Sequence, residues 1–149
     1  TAESNRLLKI KRLMLSPLRL RFLQKSRFVR RRILSLGNPI CCPSVTFVRE
    51  NLPGFSFQNN MDSNIDWQAW EELSRRKGEF VYIPVPSMEH RIHPDSATSS
   101  VLKDDRRRAE DMAVLEKFWG RRMAAFVEHF YSSSEKSNKL SGKESGKRQ

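Results

Sequence analysis

Between Arg6 and Arg32 the chain carries eleven Lys or Arg residues, and the only acid among its first 35 residues is Glu3. This leader holds +10 of the formal net charge of +11, so the following 114 residues, with 17 basic and 16 acidic side chains, are nearly neutral. Like charges at such density repel along the backbone, and a segment of this kind does not collapse into a core by itself. It reads either as a contact surface for a polyanion or as an address label.

Both readings have support in the residue pattern. From Asn5 to Arg49 there is no carboxylate, and Arg, Leu and Ser dominate, which is the composition of a mitochondrial or chloroplast presequence (transit peptide). Wound as a helix, Leu18, Phe22, Val29, Ile33 and Leu36 line one face, while Arg19, Arg21, Lys25, Arg30 and Arg32 occupy much of the rest. Pro17 separates this stretch from a shorter one of the same character, Arg6 to Leu15. Residues 8–36 are expected to be disordered in the isolated protein and to order on a partner. Arg27 and the Arg30-Arg31-Arg32 run would neutralise phosphates, and Phe22 and Phe28 offer stacking surfaces to unpaired bases.

Past the leader, Gly37, Pro39, Pro43, Pro53 and Gly54 interrupt any regular pattern, so residues 37–61 read as an extended linker. It carries an apolar patch at Val45, Phe47 and Val48, and Phe55 and Phe57 would form a short strand or wedge into a partner's groove. The foldable region is residues 62–131, and the Ser, Lys, Glu and Gly tail at 132–149 has one apolar residue, Leu140. About seventy residues bury only about 60% of their unfolded surface, so the core is expected to be small and completed by partners.

Within that region Ser63 and Asp66 form an S-x-x-D capping box opening a short helix. Glu71 with Arg75, and Glu72 with Arg76, are favourable four-residue pairs, and Gly78 follows as a stop. Ile65, Ala69, Trp70 and Leu73, with Trp67 beside them, make its apolar face. Next comes the β-prone run Glu79 to Ile83, ended by Pro84 and Pro86. It is an edge strand or an extended segment laid against something else. The longest predicted element is a helix over Val101 to Tyr131, with Met112, Leu115, Trp119, Met123, Phe126 and Phe130 on one face. That stripe is broader than one short helix covers, so Trp67, Trp70, Trp119, Met123, Phe126 and Phe130 form the expected protein-partner interface.

Catalytic and metal chemistry lack a signature. The six glycines are scattered rather than gathered in a phosphate loop. His90 and His93 fall in a loop with Pro94, and the adjacent Cys41 and Cys42 lack the spacing of structural zinc ligands. Adjacent cysteines do not make an unstrained disulfide, which fits a reducing compartment. No apolar run approaches the roughly 18 to 20 residues that span a bilayer, and no secretory signal peptide is expected.

The expected architecture is mostly α: a basic extended or helical arm (1–36), a linker (37–61), a small helical domain (62–131) with one extended segment, and a tail (132–149). The expected function is that of a non-catalytic structural subunit of a mitochondrial ribonucleoprotein, most plausibly a ribosomal protein. It has no metal or cofactor, its arm lies on rRNA and its C-terminal helix on protein neighbours. Two other readings stand beside it. One is a subunit or assembly factor of a mitochondrial protein complex, with residues 1–60 serving mainly as presequence. The other is a nuclear nucleic-acid-associated protein.

Overall fold

The computed structural model describes residues 2–85 and 104–127, in which the chain is mostly helical and contains no strand. Helix α1 (Ala2–Leu15) stops before Pro17, which sits in a 3-10 turn at Ser16–Arg19 where its missing N–H is tolerated. A single turn, α2 (Arg21–Gln24), follows. The Ser26 side-chain oxygen then accepts the Val29 N–H at 3.3 Å and opens α3 (Arg27–Leu34). This restart breaks the single amphipathic helix expected across the leader. Leu18, Ile33 and Leu34 are buried, whereas Phe22 and Leu36, placed by the helical pattern on the same face, are exposed.

Helix α4 (Ile65–Arg75) is the centre of the fold, with Trp67, Ala69, Trp70 and Leu73 buried. The four-residue pairs read from the sequence are both formed, Arg75 to Glu71 at 2.6 Å and Arg76 to Glu72 at 2.5 Å. The capping box is not. Asn64 is the N-cap residue, and the amides of Asp62, Ser63 and Asn64 donate instead to Glu110 of helix α5 (Asp104–Trp119) at 2.8 to 3.1 Å. That carboxylate, brought by another helix, gathers the amides of the turn just before α4 and so ties this turn to α5. Asp66 is engaged elsewhere, accepting from the Trp67 amide and from the Asn38 side chain.

The leader and the middle segment are both parts of the core. Helix α3 packs on α4, and the Trp67 indole donates to the Leu34 carbonyl at 3.0 Å in a buried bond. Phe47 stacks on Trp70 with ring centres 5.9 Å apart, and buried Phe55 and more exposed Phe57 complete the aromatic group. The groove into which these phenylalanines wedge is therefore this chain's own, and residues 37–61 wrap the core rather than link two bodies. The β-prone run forms no ladder. Its Phe80 amide donates to the Gln24 carbonyl at 3.1 Å, so the extended segment lies against the leader.

Helix α5 contributes Val114 and Leu115 to the core. The continuous helix expected over Val101 to Tyr131 is interrupted at Gly120, whose φ of +72° is a left-handed conformation that glycine adopts without a Cβ penalty. Residues 121–127 are helical again and bury Ala124. The 132–149 tail lies outside the described residues, as do Phe130, the loop histidines and both ends, Val101 and Tyr131, of the predicted helix.

Candidate nucleic-acid interface

Because α3 packs on α4, its arginines divide between the interior and the surface. Arg30 is only 1% exposed, donates to the Arg76 carbonyl at 3.0 Å and lies 5.2 Å from the centre of the Phe80 ring. Burial, and then the charge of Arg27, hold its guanidinium pKa below the ordinary arginine range. Arg31 ion-pairs with Glu71 at 2.7 Å, donates to the Lys117 carbonyl at 2.9 Å and covers the Phe118 ring. Both were expected to face phosphates. Arg30 has no surface to offer one, and Arg31 spends its donors joining α3 to α4 and to the end of α5.

The remaining predicted cations are outside. Arg19, Arg21, Lys25, Arg27 and Arg32 are exposed, as are Lys9, Lys11 and Arg12 of α1. Arg32 lies 4.4 Å from the Trp119 ring and 5.3 Å from that of Phe28, so Phe28 is part of a cation–aromatic stack at the α3 surface. Phe22 is 73% exposed and borders an open cleft of about 920 Å³. One wall of the cleft is Arg19, Arg21, Phe22 and Lys25. The other is the extended segment, with Glu79, Val81, Tyr82 and Pro84, and the Arg19 guanidinium stands 5.9 Å from the Tyr82 ring centre. Sequence reading did not assign Tyr82 to the site, since its place opposite Phe22 follows from the Phe80–Gln24 bond and not from any local spacing.

The predicted partner face is also divided. Trp67 and Trp70, each 1% exposed, are interior and present nothing to a neighbour. Trp119 is half-buried and its indole donates to the Ser35 carbonyl at 2.6 Å, tying α5 to the end of α3. Met123 and Phe126 are exposed. Of the residues with acid, base or ligand chemistry, His90 and His93 lie outside the described residues. Among those described, no three His, Cys, Asp or Glu side chains come together as a metal site requires. Burial, with smaller contributions from Asp66 and Cys41, pushes the Cys42 thiol pKa up and disfavours its reactive thiolate. No described helix is long and apolar enough to cross a membrane.

No protein-family model, curated protein or solved structure matches this chain.

Proposed function

We propose that the protein is a non-catalytic subunit of a ribonucleoprotein in the mitochondrial matrix, a ribosomal protein whose leader contacts rRNA while its C-terminal helical part meets protein neighbours. The observation that carries this reading is a surface of exposed cations, Arg19, Arg21, Lys25, Arg27 and Arg32, on a segment that is itself built into the core. Phosphate neutralisation by such a surface releases condensed counterions and needs no further motif. Exposed Met123 and Phe126 supply apolar area for a protein contact.

The same packing supports retention of the leader. Cleavage between Gly37 and Asn60 would remove Leu18, Ile33 and Leu34 from the core, take the Leu34 carbonyl from Trp67, and strip Glu71 of Arg31. That weighs against the reading in which residues 1–60 are mainly a discarded presequence. The test is sedimentation of the endogenous protein from mitochondrial extract, with and without nuclease, and sequencing of its N-terminus. Migration with ribosomal particles that nuclease abolishes, and a chain that still contains α3, are expected. Migration as a free small protein, or in a nuclease-resistant complex lacking the leader, refutes the reading.

A further inference from the structure

We infer that the cleft between α2 and the extended segment at residues 79–84 is a seat for unpaired nucleotides of RNA, with Phe22 and Tyr82 as its stacking surfaces. This rests on the proposed RNA-binding function and gives it a site and a strand preference. Three exposed cations, Arg19, Arg21 and Lys25, line a cleft whose two walls each carry an aromatic ring. Cations along a groove with aromatic side chains between them are what a single strand needs, since its phosphates and the faces of its bases are both free. In a duplex the base faces are already stacked on one another, and the rings gain nothing.

The geometry fits this division. The Phe22 ring stands 73% exposed among cations rather than against the apolar core. The Tyr82 ring is half-buried and the Arg19 guanidinium lies over it, 5.9 Å from its centre, so a base that stacks there takes the place of that cation–aromatic contact and frees Arg19 for its phosphate. The cleft is open to solvent and, at about 920 Å³, has room for a few nucleotides. Glu79, the one acid of the lining, would repel a phosphate but accepts a hydrogen bond from a base amino group, which favours bases over backbone on that wall.

The experiment is an anisotropy titration of the full chain against a labelled single-stranded RNA of mixed sequence and an RNA duplex of the same length, for the native protein, Phe22→Ala and Tyr82→Leu. Neither substitution alters net charge, so phosphate attraction is preserved. Each should weaken single-strand binding roughly 5- to 100-fold, the range of one lost base–aromatic stack, and leave duplex binding unchanged. Phe22 is exposed, so Phe22→Ala should retain the native melting temperature, and it decides the matter alone if Tyr82→Leu unfolds. Native-like single-strand affinity in Phe22→Ala, or equal weakening toward both RNAs, overturns the cleft while leaving the basic surface intact. Failure of the native chain to bind either RNA at low salt overturns the RNA function itself. Phe22→Ala that loses binding to anionic phospholipid vesicles but keeps its single-strand affinity assigns the cleft to a lipid surface and overturns the inference.

Discussion

The ion pair between Arg31 and Glu71 spans 40 residues of sequence and joins the leader to α4, so its strength is one measure of how firmly the leader is held. The Glu71 side chain is 4% exposed and that of Arg31 28%. A charge-assisted bond in such a setting contributes about 1.5–3 kcal/mol net of desolvation. Arg75 donates to the same carboxylate oxygen at 2.6 Å, so losing Arg31 leaves the buried charge partly compensated and the lower half of that range applies. A double-mutant cycle with Arg31→Met and Glu71→Gln should therefore give a coupling of about 1.5–2 kcal/mol. The bond from Arg31 to the Lys117 carbonyl and its contact with Phe118 are untouched by Glu71→Gln and cancel in the cycle. Urea unfolding followed by tryptophan fluorescence is the assay, because Trp67 and Trp70 are both interior. A coupling below about 0.5 kcal/mol, the scatter of additive sites, means that this ion pair does not fasten the leader, whose docking then rests on Leu18, Ile33, Leu34 and the Trp67–Leu34 bond.

Four further outcomes are expected. Although burial opposes ionisation, the amides of Asp62, Ser63 and Asn64 and the Ser63 hydroxyl hold the Glu110 carboxyl pKa below its usual range. Its contribution is thus present above the ordinary carboxylate range and lost as pH falls through the lower folded value. Urea midpoints measured against pH should drop more steeply in acid for the native chain than for Glu110→Gln, and parallel profiles would contradict the role of these amide bonds. Trp119→Phe leaves the Ser35 carbonyl without its donor and should cost about 1–2 kcal/mol in a denaturant titration, whereas Met123→Asp should spare the melting temperature and weaken co-sedimentation with the native assembly. The reverse pattern would make the exposed face part of the core and Trp119 the contact. Gly120→Ala forces a Cβ into the left-handed region and should cost at least about 1 kcal/mol in the same titration; a raised midpoint would argue for one unbroken helix, in which Ala is the better residue. Finally, Arg21→Ala with Lys25→Ala should reduce the salt slope of single-strand RNA binding by about 1.4, two phosphates' worth, while Arg31→Met should act on the urea midpoint. Equal slopes for the native and doubly substituted chains would remove these cations from the interface.

The mostly helical class, the stop before Pro17 and the pairs Glu71–Arg75 and Glu72–Arg76 were legible in the sequence because their physics is local: a missing N–H, or side chains one helical turn apart. The charge asymmetry was equally plain, and it marks which segment is cationic. It does not say which cations face water. The tertiary fold alone decided that Arg30 goes inside and Arg31 reaches a carboxylate 40 positions on, since a guanidinium is buried only where carbonyls, rings or acids from other elements meet it. Nor did spacing foretell that Glu110 would gather the amides just before α4, that Phe47 would find Trp70, or that Tyr82 would line the same cleft as Phe22. Periodicity identifies an apolar or basic face. What covers that face, and with it whether a tryptophan is core or contact, depends on which distant segments pack there, and the pattern along one element carries no record of them.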